Sequence, residues 1–598
     1  MYLRELSVDS WNLARAETQY QGENMSHELA SILLTETLQY ASNVSKEPVY
    51  ALFLDAKSAF DRVIKEILLR NMFIAGTTGH NLLYFDQRLS NRKTYCDYNN
   101  ELMGPIVDLR GLEQGGISSS DEYKLYNNEQ AYYAQLSSLG VSLGNQNISC
   151  ISLADDAVLL ASTITDLKNL LFLTILYCTK YDVKLVPEKT CLLAFPPKNS
   201  NFVVEKDAPS SIYLEGQELT FKNEAQHLGI LRSTESGNLP SIMERLAAHR
   251  KQLFSLLPAG MAFHHLANPA ASLMVEKLYC LPVLLSGLAT LVLTKSEESM
   301  INRYHKNTLR MLMKLPSNTP DAAVYFLAGS LPAAAYLHQK QLTLFNMICH
   351  LEENLLKKHA IDILTKHKQT SAKSWFHHIV TLSQKYDLPH PLFLLNDPEP
   401  KFKKIVSEKI HEVSRHALTE ACSVESLQFL NTPFLSLRKP HPIWTSLDGN
   451  PYQAKAAFVQ AAFLSGKYRT EKVSRFWSQN KDGICLQKEC VDLKILEDNK
   501  HVLLHCSALN EKRRRLFDQY SVMIVSNPIL KPIADFYLMN SDENVRLQFL
   551  FDCSTLPMVI QAFQVFGKPV HEFLFKLSRS WCRSLHKERL KLLGRPCP

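Results

Sequence analysis

Three aspartates carry the most specific chemistry in this chain. Asp155 and Asp156 are adjacent in ISLADDAVLLA (151–161), between two short apolar runs, and Asp55 closes the apolar run VYALFLDA (49–56). Neighbouring carboxylates repel, and beside buried strands their charges cost desolvation energy. Crowding becomes stable when the oxygens coordinate divalent cations. An oxygen-only ligand set favours Mg or Mn. Two such cations about 3.5–4 Å apart activate a hydroxyl and stabilise a leaving phosphate in an in-line displacement. Taken alone, Asp155-Asp156 reads equally well as a hairpin turn, where Asp pairs are common.

A second cluster lies near the C-terminus. Cys485, Cys490, His501 and Cys506 follow the spacing C-x4-C-x10-H-x4-C. Three thiolates and an imidazole suit tetrahedral Zn. His505 is the alternative nitrogen ligand, but its adjacency to Cys506 makes joint ligation awkward, so His501 is preferred. The bland alternative is three incidental cysteines in a chain holding 13. The basic runs EKRRRLF (511–517) and SRSWCRSLHKERLKLLGR (578–595) offer phosphate contacts, although a single basic run is more commonly a solvated helix face.

These groups need elements to hold them. Residues 25–45 are apolar at helical spacing and end before Pro48. A buried strand (49–56) and a helix-like stretch (58–70) follow. Residues 91–111 alternate around Asn99-Asn100 and predict a hairpin. A helix is expected from Ser118 to Leu139. Two strands over 148–161 meet at the Asp pair, a helix covers 164–181, and 183–195 reads as strand, turn, strand. Helices alternating with antiparallel hairpins predict an α+β sheet with helices on one face. From about 236 strand signals fade and helical texture dominates to 430. The Pro- and Asn-rich segment 431–450 reads as a linker, and 451–598 as a helical, basic region.

With these residues in place, the chain resembles non-LTR retrotransposon reverse transcriptases. LDAKSAFD (54–61) looks like the family's A motif, GLEQGGIS (111–118) like its B motif, ADDAVLLA like its C motif, and PEKT (187–190) like the lysine region of its D motif. HLGIL (227–231) resembles the turn leading to the thumb, and residues 19–36 the segment before the A motif. The resemblance is strong over about 15–235 and extends into 278–345. It implies a right-hand polymerase palm (48–235) with incomplete fingers (1–47), a helical thumb and connection (236–430), the linker (431–450) and a C-terminal helical region (451–598) with a Zn knuckle (485–506). It implies that Asp55 and Asp155 bind both Mg ions, with Asp156 supporting them and the Leu54 or Ala56 carbonyl adding a ligand. Phe60 would lie under the sugar of the incoming dNTP and exclude a 2′-hydroxyl. Gln114, Gly115 and Gly116 would face template and nucleotide, and Lys189 would protonate the leaving pyrophosphate. Each has a plainer reading: Phe60 as a core aromatic, Gly115-Gly116 as a turn, Lys189 as a solvated lysine. The similar Cys/His cluster near the end of many such polyproteins strengthens the Zn assignment.

The pattern departs from the family in places. Where the B motif usually continues Leu-Ser-Pro, this chain has Ser118-Ser119-Ser120-Asp121, which leaves serines to cap the helix but brings a new negative charge. The fingers segment is short and no endonuclease region precedes it, which implies a truncated element. The expected function is therefore RNA-directed DNA polymerisation on an RNA template from a DNA primer, and the alternative is an inactive, nucleic-acid-binding remnant of the same fold. A nucleotide cyclase on a similar palm would lack the Gln-Gly-Gly segment and the Zn cluster.

The bulk numbers agree with this. A chain of 598 residues predicts two to four domains. Its net charge of +7 permits a polyanionic partner without requiring one. No apolar signal opens the chain, and the longest apolar run, 278–294, is short for a span and holds Pro282 and Gly287. The expected setting is intracellular, nuclear or cytoplasmic, without a membrane.

Overall fold

The computed structural model describes residues 26–90, 92–113, 115–202, 211–256, 258, 268–351, 354–366, 374–474, 482–525 and 527–596. The chain divides into two compact units. One comprises Met1–Glu244, Leu285–Glu297 and Leu337–Lys409; the other comprises Arg245–Leu284, Glu298–Tyr336 and Ile410–Pro598.

The first unit is built on a four-stranded antiparallel sheet. Its strands are β1 (Val49–Leu54), β6 (Cys150–Leu153), β7 (Asp156–Ala161) and β8 (Cys191–Phe195), in the order β6-β7-β1-β8. Between them come α2 (Lys65–Ile74), α3 (Gly79–Ser90), the ribbon β2 (Lys93–Tyr98) and β3 (Glu101–Val107), α4 (Ser119–Leu136), the short pair β4 (Val141–Leu143) and β5 (Gln146–Ile148), and α5 (Ile164–Tyr181). α1 (His27–Tyr40) precedes β1. Two of these helices start on side-chain caps: Ser26 Oγ accepts the Leu29 N–H at 3.3 Å and Thr163 Oγ1 the Asp166 N–H at 3.1 Å, each worth about 1 kcal/mol. Asn99 and Asn100 both take left-handed backbone at the tip of the β2–β3 ribbon, as a two-residue hairpin turn of this kind needs.

The expectation of helices on one face of the sheet is corrected. Every residue of β1 is buried, and the run VYALFL has no charged side chain to offer solvent. Tyr50, Leu52 and Leu54 point into a core shared with Leu68 and Met72 of α2, Tyr123 and Tyr126 of α4, and Leu167 and Leu170 of α5. The opposite face meets α1, which packs on β6, and His227, whose ring lies 5.3 Å from Phe53. Alternation would have been required for a one-sided sheet, and β1 lacks it. Of the strand, turn, strand expected over 183–195, the second strand forms as β8, while the first is reduced to a single bridge between Leu185 and Ala56.

The expected division near residue 236 is also displaced. Buried Glu36 of α1 accepts hydrogen bonds from Ser374 Oγ (2.8 Å) and the Trp375 N–H (2.5 Å), and lies 3.3 Å from His359 Nε2. Trp375 Nε1 donates to the Ala289 carbonyl at 2.8 Å. Segments 285–297 and 337–409 thus belong with the sheet. Sequence texture could not reveal this, since a helix that packs on α1 reads like one in a separate bundle.

The second unit centres on the helix Lys568–Leu592, which buries Leu574, Phe575, Trp581, Cys582 and Leu585. The helix Pro451–Leu464 packs along it. The segment 431–450 is folded into this unit and does not separate two bodies. Trp444 is buried and donates to the Leu327 carbonyl at 3.1 Å, and His441 meets Asp552 at 3.1 Å. Pro433 and Pro442 begin short helical turns at Thr432–Phe434 and Pro442–Thr445, a use of proline that resembles linker composition. Among the described residues, no helix is long and apolar enough to cross a membrane.

Candidate active site

The three aspartates converge through sheet register. β1 pairs antiparallel with β7, with Leu54 opposite Ala157. The next positions, Asp55 and Asp156, therefore face each other where the strands end. Asp156 also pairs with Leu153 across the β6–β7 hairpin, so Ala154 and Asp155 form its two-residue tip. Ala154 takes left-handed backbone at φ 55°, which costs a residue with a Cβ about 1–2 kcal/mol.

Two residues absent from the sequence reading hold this tip. Asn127 of α4 donates from Nδ2 to the Ala154 carbonyl at 2.7 Å, and Tyr177 of α5 donates its hydroxyl to Asn127 Oδ1 at 2.8 Å. Asn127 is buried. An Asn-Asn pair inside a helix is a weak helix former, and that was the available signal.

The carboxylates feel one another. Burial, then the charges of Asp155 and Asp55, push the Asp156 carboxyl up to about 6. Such a site holds a proton or gains by binding cations. Its donors are all oxygen, as Mg or Mn requires. Lys189 Nζ lies 3.5 Å from Asp55 Oδ2. The loop carrying Lys189 is tied to β1 by the Val186 N–H donating to the Asp55 carbonyl at 2.9 Å.

Phe60 is half-buried and stacks on Tyr123 of α4, with centroids 4.5 Å apart and planes at 20°. The glycine-rich segment is joined to the same turn: Leu112 N–H donates to the Phe60 carbonyl at 2.8 Å and Gly111 N–H to that of Val63 at 2.9 Å. A Cβ on Gly111 would stand 2.8 Å from the Asp61 carbonyl oxygen, so only glycine fits. Gln114 lies outside the described residues. Gly115 has φ 87° and open space around it, whereas a Cβ on Gly116 would stand 2.5 Å from Ser119 Oγ. The expected serine cap is not formed: Ser118 precedes α4 without a side-chain capping bond, and Ser119 Oγ is buried without a hydrogen-bond partner. Asp121 stands half-buried in the first turn. Its neighbour Glu122 is buried and paired with Arg88 of α3.

The second unit brings its sulfur and nitrogen ligands together. The ligand atoms of Cys485, Cys490, His501 and Cys506 all lie within 4.8 Å of one another, and all four residues are buried. Cys485 Sγ is 4.0 Å from Cys506 Sγ, and Cys490 Sγ is 3.5 Å from His501 Nε2. A hydrogen bond from Cys485 holds the Cys506 thiol below its ordinary value, against the effect of burial. This donor set fits Zn. His505 turns away to Glu543, 3.0 Å distant.

Two arginines of the basic C-terminal run are structural. Arg579 is buried and donates to the Ser446 carbonyl at 3.1 Å and Oγ at 3.2 Å; Arg589 is buried against Glu497, with contacts of 2.9 and 2.6 Å. Neither is available to a phosphate.

The antiparallel sheet with helices on it carries acidic residues at a β-hairpin and at the end of the adjacent strand, a palm-like arrangement. Residues 13–230 match the family model for reverse transcriptase (RNA-dependent DNA polymerase), and this segment is a reverse transcriptase domain. No curated protein matches the chain. Among solved structures it is similar to apo telomerase from Candida tropicalis, at 11% identity and a TM-score of 0.29, covering 72% of this chain and 59% of that one. It is also similar to telomerase from Candida albicans in complex with a TWJ fragment of telomeric RNA, at 10% identity and 0.26, covering 64% and 55%. The chain thus spans less than two thirds of either telomerase chain.

Proposed function

We propose that this chain is the RNA-directed DNA polymerase of a non-LTR retrotransposon, extending a DNA primer with dNTPs on an RNA template. The observation that carries the reading is the Asp55–Asp156 register with Asp155 at the adjoining tip. In this reading Asp55 and Asp155 hold the divalent cations, and Asp156 supports them. The cations, when bound, lower the pKa of the primer 3′-hydroxyl and stabilise charge on the pyrophosphate. The 3′-oxygen attacks the α-phosphorus, the bond to the β-phosphate oxygen breaks, and Lys189 delivers a proton to the departing pyrophosphate. Phe60, backed by Tyr123, stands under the sugar, and the segment Gln114–Gly116 meets template and nucleotide. The reading adds a remnant of fingers in 1–47, of which 1–25 lie outside the described residues, a helical thumb and connection over 236–430, and a Zn knuckle at 485–506. The experiment is primer extension with dNTPs and Mg. Asp155→Asn is expected to lower incorporation at least ~100-fold; incorporation equal to the parent chain would refute the reading.

The second reading is an inactive nucleic-acid-binding remnant. Asp121 and the uncapped entry of α4 favour it, because negative charge there opposes an anionic nucleotide. Extension absent from the parent chain, with RNA binding retained in a gel shift, decides for it.

A further inference from the structure

The second unit carries an aromatic and cationic edge that the Zn cluster and the palm do not use. Tyr452, in the first turn of the helix Pro451–Leu464, is 68% exposed. The Arg583 guanidinium lies 4.7 Å and Lys587 Nζ 5.8 Å from its ring centroid, both from the helix Lys568–Leu592. Arg583 also donates to the Tyr452 carbonyl, which fixes the two helices at this point. One turn further, exposed Lys455 continues the face. Beyond it Lys314 Nζ sits 5.0 Å from the Phe458 ring centroid. Burial and the Lys455 charge both lower the Lys314 pKa, so these two lysines share a field.

The acidic side is thin. The helix Pro451–Leu464 contains no Asp or Glu. Asp448 uses Oδ1 to accept the Asn450 N–H at 3.0 Å, and Glu588 faces Lys591 at 3.9 Å. A cation–π pair on a surface stabilises by about 0.5–1 kcal/mol, but one cation suffices for that. Like charges gathered along one edge, beside an exposed ring, are unfavourable until a polyanion with flat bases covers them.

We propose that this edge binds a single strand of nucleic acid, with a base stacked on Tyr452 and phosphates on Arg583, Lys587, Lys455 and Lys314. It rests on the polymerase reading only for the class of polymer, and it adds a site distinct from the carboxylates.

The test uses the full chain and a fluorescent single-stranded RNA carrying 5-bromouridine, with a DNA strand of the same sequence and a duplex beside it. Photo-crosslinking is expected to label the peptide holding Tyr452. The Lys455→Glu/Lys587→Glu double variant is expected to weaken single-strand binding at least ~5-fold and to flatten the salt dependence by about two phosphate contacts. Tyr452→Ala should weaken binding ~5-fold or more, and Tyr452→Trp should restore it. Both lysines are exposed, so an unchanged melting temperature certifies the fold of the double variant. Affinity and salt slope equal to the parent, with crosslinks elsewhere, would overturn the proposal. Asp155→Asn removes polymerisation without moving these readouts, so failure of one reading is distinguishable from failure of the other.

Discussion

Asn127 Nδ2 and the Ala154 carbonyl lie 2.7 Å apart, and this bond fixes the hairpin tip that carries Asp155. The tip is not self-sufficient, because Ala154 sits in left-handed backbone. Without the bond the turn relaxes and Asp155 loses its place relative to Asp55. Asn127→Ala is therefore expected to lower kcat by about 10- to 100-fold with little change in KM for dNTP. Asn127 is a positioning residue, so a parallel rise in KM, or a loss matched by unfolding, would contradict this.

Phe60 owes its place to the ring behind it. Stacked 4.5 Å from Tyr123, it cannot move back without displacing α4. Phe60→Val removes the ring and leaves Tyr123 as a floor. The expected outcome is a gain of rNTP incorporation relative to dNTP of at least ~10-fold in single-nucleotide extension. Unchanged sugar preference would show that Phe60 is a core aromatic and nothing more.

How much of this was legible depended on whether a residue's partner was near in sequence or pattern. Asp55 and the Asp pair could be read because apolar strands flank them, and strand ends place side chains predictably. The Cys/His set could be read because ligand spacing is local, and the preference for His501 over His505 agrees with the ligand cluster in the fold. Asn127 and Tyr177 could not, since their bonds join two helices to a turn across the core. Within the basic run 578–595, Arg579 and Arg589 are internal, which the charge run does not disclose because Ser446 and Glu497 lie opposite them. The palm sheet followed from alternating elements, but its second covered face depended on α1 and on segments hundreds of residues away.

The Cys/His cluster is expected to be a folding element of its unit. Cys485 Sγ and Cys506 Sγ are 4.0 Å apart, too close to be comfortable as two thiolates without a cation. One equivalent of Zn is expected by elemental analysis, and Cys490→Ser should lower it to well under half. Chelation should expose the 482–510 segment to proteolysis before residues 49–54 of the palm sheet. Equal cleavage with and without chelator would refute a structural metal.

The clearest pH dependence belongs to Glu276. It is buried, with His305 Nε2 at 3.4 Å and His249 Nε2 at 3.5 Å from Oε1, and Tyr304 bonded to His249 Nδ1 at 3.2 Å. Burial opposes its charge, but His305 and then His249 overcome this and hold the carboxyl at about 2, below its ordinary 4.5. A folded pKa below the unfolded one contributes stability above the unfolded value, and that contribution is lost as pH falls from about 4.5 towards 2. Glu276→Gln leaves two buried imidazoles without their carboxylate and should destabilise the chain by roughly 3 kcal/mol at pH 7. The gap between parent and variant in urea unfolding should narrow steadily below pH 4.5. A gap of constant size from pH 7 to pH 3 would mean that Glu276 stabilises by packing alone, because only an ionised carboxylate can lose its advantage to protons.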